Sequence, residues 1–295
     1  MALDELITEA RAERPDYDLS STAELVGLMN REDATVPAAV GAIAAQLADA
    51  IDAVVERLRG GGRLVYVGAG SSGDIAALDA NECEATFSTE PGQVVPLVAG
   101  AGLASAEREA AEDDVEAARR AVAELGVSER DAVVGVSASG RTPYTVEALR
   151  AATGAGALTV AVVAVRDSEL GRIADYELAA VVGPEFVAGS TRLKAGTAQK
   201  LVVNTISTVS MIRLGKTYGD LMVDVRTSNE KLAARARRIV VAATGVSDDE
   251  ADAALAEADG SAKVAIVALL AGTNAATARK RLEQAGGVIR SALEP

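Results

Sequence analysis

Two glutamates and a set of hydroxyl-rich turns carry the chemistry this sequence offers. The chain of 295 residues has no histidine. That removes Ser-His and Cys-His nucleophile pairs and histidine metal sites. Acid–base work then falls to Asp, Glu, Lys, Tyr or Cys. Glu82 and Glu112 each belong to the helix expected after one of the first two strands, so folding can bring both to one crevice. Two carboxylates in different environments can serve as acid and base without histidine. For Glu112 the competing explanation is a solvated helix face, because it lies in the acidic run Glu109 to Glu116. Glu112-Asp113-Asp114 is a poor metal site on a helix, since adjacent residues do not share a face. The single cysteine, Cys83, reads as a small buried apolar residue rather than a nucleophile.

Three segments are suited to an anion. The first, Gly68-Ala69-Gly70-Ser71-Ser72-Gly73, lies between an apolar run, Leu64-Val65-Tyr66-Val67, and a helical pattern. A strand, a glycine turn and a helix N-terminus present free N–H groups and a favourable dipole to a phosphate. Ser71 and Ser72 add hydroxyl donors. The segment also fits the G-x-G-x-x-G dinucleotide pattern, but that pattern needs an acidic residue at the end of the second strand. There the sequence reads Ala99-Gly100-Ala101, which argues against a nicotinamide cofactor. For Gly68 and Gly73 close packing in a tight turn is the alternative.

The second segment, Ser137-Ala138-Ser139-Gly140-Arg141-Thr142-Pro143, places hydroxyls and a guanidinium at a helix start, with Thr142 as N-cap and Pro143 in the first turn. It is the better phosphate cradle; capping alone is the competing account. In the third, Glu185 suits sugar hydroxyls, while Ser190, Thr191 and Lys194 suit an anion. A capped helix with a charged first turn explains that segment equally well.

The elements that must position these residues alternate. Strands are expected at 63–67, 93–98, 131–136, 157–164 and 176–182, with helices at 73–82, 104–125, 143–153 and 192–214. This predicts an α/β fold with a five-stranded parallel sheet covered on both faces. Ligands of such sheets gather at the carboxyl ends of the strands. Residues 1–20 read as a loose arm. A capping box at Ser21-Thr22-Ala23-Glu24 starts a helix, and a second helix runs from Pro37 to Gly60. Strands stop before Ser228, leaving a small helical C-terminal region. The expected division is 1–55, an N-terminal helical arm; 56–225, the sheet domain; and 226–295, the helical region.

Composition narrows the partners. Apolar residues make up 49% of the chain, yet there are two Phe, five Tyr and no Trp, so the core is aliphatic. So few aromatics, with a net charge of −14, argue against single-stranded nucleic acid, phosphate backbones and anionic membrane surfaces. One cysteine and an acidic, polar N-terminus lacking a signal-peptide core point to a cytoplasmic protein.

The motifs GAGSSG, DANEC, AEDD, SASGRTPY, VVGPE, GSTRLKAGTAQK, YGDLMVDV and SNEK occur in this order. Together they resemble the N-acetylmuramic acid 6-phosphate etherases. These are a sugar isomerase (SIS) domain family that also includes the glucokinase regulatory protein. The resemblance runs from about residue 20 to the C-terminus, and GSTRLKAGTAQK is its most specific part. It implies a SIS-type three-layer sandwich and a homodimer with interfacial sites. It also implies neither metal nor organic cofactor, and cleavage of the 3-O-lactyl ether of a 6-phosphorylated amino sugar. The family's acid–base pair falls on Glu82 and Glu112. The resemblance assigns Glu82 as proton donor to the lactyl oxygen and Glu112 as the second acid–base group, within peptidoglycan recycling.

The sequence departs from the family pattern around these motifs. Asp74 stands where the family has arginine, Glu84-Ala85 replaces Pro-Pro, Ser88 replaces glycine, and Asp167 lies in a segment without the usual asparagine. An aspartate at 74 is expected to repel an anionic substrate group. Alternatives to the etherase are a non-catalytic sugar-phosphate-binding regulator, which would be indifferent to Glu82→Gln, and an isomerase that moves the C2 proton without losing lactate.

Overall fold

The computed structural model describes residues 7–11, 17–225 and 230–294. They form two compact units. One comprises the described residues up to Asn81 together with Gly92–Ser207; the other comprises Glu82–Pro91 and the described residues from Thr208 onward.

The first unit is built on five parallel strands, β1 (Leu64–Gly68), β2 (Val94–Val98), β3 (Ala132–Val136), β4 (Leu158–Val163) and β5 (Tyr176–Ala179). Their order is β2-β1-β3-β4-β5. The inner strands β1, β3 and β4 are buried at every position, as near-continuous aliphatic runs require in a doubly covered parallel sheet. β2 is an edge strand, and that is why it tolerates Pro96, which cannot donate to a ladder. One face of the sheet carries a mostly aliphatic cluster that includes Val65, Val67, Val133, Leu149 and Ala161.

Around the sheet lie α1 (Thr22–Asp33), α2 (Val36–Gly41), α3 (Ala44–Arg59), α4 (Gly70–Phe87), α5 (Ser105–Ala110), α6 (Val115–Leu125), α7 (Pro143–Gly154), α8 (Glu169–Ile173) and α9 (Lys194–Arg213). α1 starts at the expected capping box, with Ser21 and Glu24 bonded reciprocally. The single helix expected over 37–60 is instead α2 and α3, with the span Thr22–Gly41 bent by 59° from Ala44–Arg59. The helix expected over 104–125 is also broken. Asp114 leaves helical geometry (φ −80, ψ 86) and accepts the Ala117 N–H at 2.8 Å, capping α6. Asp favours such a cap over a helix interior. Part of the expected loose arm is ordered. Tyr17 packs edge-on against Phe186 at 5.1 Å and its hydroxyl donates to the Phe186 carbonyl. The rest of that arm, residues 1–6 and 12–16, and the expected helix start at Ser228, lie outside the described residues.

The second unit holds a short antiparallel hairpin, β6 (Thr217–Tyr218) with β7 (Leu221–Met222), which the sequence reading missed. Then come α10 (Glu230–Thr244), α11 (Asp248–Glu257), α12 (Ala262–Ala271), α13 (Ala275–Gln284) and α14 (Ile289–Leu293). α12 is buried from Ala262 through Ala268 and forms the centre of this unit's core, as its apolar run predicts. No single helix among the described residues is long and apolar enough to cross a membrane.

Candidate active site

The strand order reverses between β1 and β3, so the exits of these strands flank the crevice where ligands of open α/β sheets bind. The β1 exit is tighter than the sequence suggests. α4 begins at Gly70 rather than at Gly73, so Ser71, Ser72 and Gly73 form its first turn and not a loop. A side chain on Gly68 would come within 2.9 Å of the Gly73 Cα, and one on Gly73 would meet Val98 at 2.8 Å. Close packing therefore accounts for both glycines. Ser71 is exposed, while Ser72 donates to Gln199 Oε1 at 3.0 Å.

Gly70 has a different reason for its identity. Its φ is +52°, and a Cβ there would lie 2.7 Å from Glu112 Oε1. The Glu112 carboxylate thus rests on the first residue of α4. It is carried by a 3-10 turn, Ala111–Asp113, between α5 and α6, not by a regular helix face. Burial, helped by the nearby charges of Glu109 and Asp113, pushes Glu112 above the ordinary carboxylate range, while Arg108 pulls it down. A carboxyl group tuned upward is suited to proton transfer nearer neutral pH.

Glu82 belongs to the second unit. It is exposed on α4. Cys83 beside it is buried, as expected.

At the β3 exit the hydroxyls divide into two tasks. Ser137 is buried, shares a 2.9 Å hydrogen bond with Thr142 and accepts the Gly140 N–H at 3.1 Å. Thr142 occupies the N-cap position of α7, with Pro143 next, but its side chain makes no cap bond because it is engaged with Ser137. These two residues shape the turn. Gly140, at φ +64°, is obligatory because a Cβ would stand 2.5 Å from the Ser168 hydroxyl. Ser139 and Arg141 line a cleft of about 120 Å³ with Asp167, Ser168 and Arg172. Hydroxyl and guanidinium donors on one cleft suit an anion.

The third cluster closes on itself. Glu185 is wholly buried and accepts the N–H groups of Lys194 and Ala195, each at 2.9 Å, so it caps α9. Lys194 is buried as well, with Nζ 2.8 Å from Glu32. Ser190 and Thr191 are half-buried in the preceding turn. Lys194 and Glu32 border a cavity of about 550 Å³ beside Val182 and Pro184.

The departures from the family pattern have local explanations. Asp74 does not stand as a bare negative charge, as expected from sequence; it is ion-paired with Arg108. Asp167 adopts φ +53°, a conformation that asparagine and aspartate tolerate better than most residues. Ser88 adopts φ +48°, where glycine is unstrained. Glu84 and Ala85 are exposed on the end of α4.

Three residues at the site escaped the sequence reading. Arg108 joins Asp74 and reaches the Gly70 carbonyl at 3.5 Å. Gly100, at φ +59°, lets α5 seat on the β2 exit, since a Cβ would lie 2.9 Å from the Arg108 Cα and 3.0 Å from Ala111. Gln199 fixes Ser72 from α9. The small residues Ala99-Gly100-Ala101 were the available signal for the second; the others need tertiary contacts. Among the described residues no group of His, Cys, Asp and Glu could hold a metal ion.

Comparison with known proteins places this architecture. A model of the glucokinase regulatory protein N-terminal SIS domain matches residues 46–153, and one of the SIS domain matches residues 113–208. Phosphoheptose isomerases from Neisseria gonorrhoeae and Francisella tularensis share the fold, with TM-scores of 0.51 and 0.50 at 17% and 18% identity. They cover 64% and 65% of this chain and 98% and 100% of their own. Sequence similarity runs much further. The N-acetylmuramic acid 6-phosphate etherase of Rubrobacter xylanophilus is 58% identical over 99% of this chain and 97% of its own length. That of Streptomyces avermitilis is 55% identical over 99% and 94%. This chain, with its SIS-type sheet and its glutamate seated at the β1 exit, belongs to the N-acetylmuramic acid 6-phosphate etherase family.

Proposed function

We infer that this protein is a carbon–oxygen lyase that cleaves the lactyl ether of N-acetylmuramic acid 6-phosphate, giving N-acetylglucosamine 6-phosphate and D-lactate. Full-length identity to proteins bearing that name supports the activity. The observation that carries the chemistry is the seat of Glu112 on Gly70, at the carboxyl end of β1, with its proton affinity raised by burial.

An unactivated ether resists hydrolysis, so the sugar must supply the activation. Once the ring opens, C1 is an aldehyde and the C2 proton becomes acidic. Glu112, as carboxylate, takes that proton. The electron pair forms a C2–C3 double bond as the C3–O bond breaks, and Glu82 gives its proton to the departing lactyl oxygen. Water then adds at C3 of the unsaturated aldehyde, its proton returning to C2, and the ring closes. In this reading Ser139, Gly140 and Arg141 hold the phosphate, with Ser137 and Thr142 fixing their turn. Ser71 and Ser72 bond sugar oxygens from α4. Glu185 acts by capping α9, which holds Ser190, Thr191 and Lys194 at the pocket beside it. The reaction needs no cofactor.

We place the protein in the cytoplasm, where a phosphorylated sugar is retained, and read it as a homodimer. α1 has no buried residue and exposes Val26, and Leu19 just before it is also exposed.

The test is release of D-lactate from N-acetylmuramic acid 6-phosphate by the intact protein and by Glu82→Gln. Release that the substitution abolishes is expected; release that survives it would remove Glu82 from the reaction. Mixing Glu82→Gln with Glu112→Gln should restore about a quarter of the activity if the site is shared between copies. No restoration places both glutamates of a site on one chain.

A further inference from the structure

At the β1 exit a positive charge stands beside the proposed base with no role in the steps above. Arg108 lies four residues before Glu112, on the short helix α5. Its Nη2 reaches the Gly70 carbonyl at 3.5 Å, and Glu112 Oε1 rests where a Cβ of Gly70 would be. The two side chains therefore converge on one residue. The arginine is not a loose surface group. Its backbone is pressed onto Gly100, and its guanidinium is held by Asp74 from the second turn of α4. Its Nε is buried and makes no hydrogen bond among the described residues, so the fork has donor capacity left.

We propose that Arg108 is a specificity-determining residue that receives the carboxylate of the substrate's ether substituent, with Asp74 as the counter-charge that holds the guanidinium ready for it. This rests on the etherase reading. In a 3-O-lactyl ether the carboxylate is attached to the carbon that bears the ether oxygen, a few bonds from C2. A base placed at C2 therefore has the carboxylate within several ångströms. Arg108 Nη2 and Glu112 Oε1 both stand against Gly70, which brings guanidinium and base together on that scale. A guanidinium binds a carboxylate bidentately, where lysine offers a point charge. Asp74 sets a threshold. It offsets the cation in the free protein, so a neutral substituent gains nothing from Arg108, whereas a carboxylate competes with Asp74 for it.

The experiment compares two substrates, N-acetylmuramic acid 6-phosphate and its lactyl amide. The variants are Arg108→Gln, Arg108→Lys and Asp74→Asn. Arg108→Gln should raise KM for the acid about tenfold or more, while turnover of the amide and inhibition by N-acetylglucosamine 6-phosphate stay within about twofold. Arg108→Lys should restore part of the loss, and Asp74→Asn should lower KM for the acid. Equal losses on acid and amide, or no loss on either, would overturn the proposal. Calorimetric binding of N-acetylmuramic acid 6-phosphate and its lactyl amide to Glu82→Gln, with and without Arg108→Gln, decides the contact without turnover. Absence of lactate release by the intact protein would then sink the reaction and still leave the Arg108 contact decided.

Discussion

Two arginine–aspartate pairs stand at opposite ends of β1, and they do opposite work. Just before the strand, Arg63 clasps Asp131 through Nε and Nη2 at 3.0 and 2.8 Å. Asp131 also accepts the backbone N–H groups of Arg63 and Ser128, each at 2.9 Å, and is 2% exposed. With the Ser128 hydroxyl at 3.4 Å its carboxylate has five donors and no room for anything else. Just after the strand, Arg108 holds an Asp74 side chain that is 60% exposed, and keeps donors in reserve. The amino end of the sheet is closed by saturation. The carboxyl end is left unsaturated, and unsaturated polar groups are what a substrate can use.

The same contrast appears in the protons. Burial alone would push Asp131 up, but the Arg63 hydrogen bonds and the backbone N–H groups bring it below the ordinary range. Its contribution to stability is present above the ordinary Asp pKa and is lost as pH falls through the depressed one. Glu112 is raised by burial and by Glu109 and Asp113. Its folded form holds the proton longer than the unfolded chain, so its contribution is present below the ordinary Glu pKa and is lost as pH rises through the raised one.

The largest expected effect separates activity from stability. Glu112→Gln should cut lactate release by about 10²–10⁴-fold, with stability at neutral pH unchanged or higher in urea titration. A loss of stability with no loss of rate would make Glu112 a structural group. Next, Asp131→Ala should cost about 3 kcal/mol of unfolding free energy, because it strands a partly buried guanidinium. Asp74→Ala should cost less than about 1 kcal/mol, as exposed pairs do. Equal losses from the two aspartates would erase the distinction between the ends of the strand. The smallest effect is a displacement in pH. The acid limb of kcat/KM should lie above the ordinary glutamate range, and Arg108→Gln should move it higher, since the cation beside Glu112 is removed. Tyr144, pushed up by burial and by the charge of Asp114, lies near the same turn and stays protonated through this limb. A limb that stays put, or moves down, would separate Arg108 electrically from the base.

The sheet was legible because its signal is local. Aliphatic runs such as Leu64–Val67 and Leu158–Val163 allow little but buried strands, and all five strands lie within a few residues of their expected bounds. The helical C-terminal region was legible for a similar reason, from the apolar run Val264–Leu270 within α12. The site was legible in its residue types and less so in its geometry. Counting Ser71 and Ser72 into a loop missed that α4 starts at Gly70. Reading 104–125 as one helix missed that Asp114 ends it, and so missed the turn that aims Glu112. The Asp74–Arg108 pair joins residues on separate elements, and no spacing rule reveals it. Charge at one position was read alone, and its partner offsets it.

The strand order has a consequence for synthesis. β1 lies between β2 and β3 yet is made before both. Its first neighbour is complete only at Val98 and its second at Val136. At the usual 5–20 residues per second the ribosome needs roughly 3–14 s to pass from Gly68 to Val136. Through that interval Leu64-Val65-Tyr66-Val67 has at least one open edge, and α4, which follows at once, is its earliest cover. The nascent chain is most exposed to wrong pairing at the strand on which both arginine–aspartate pairs will later converge.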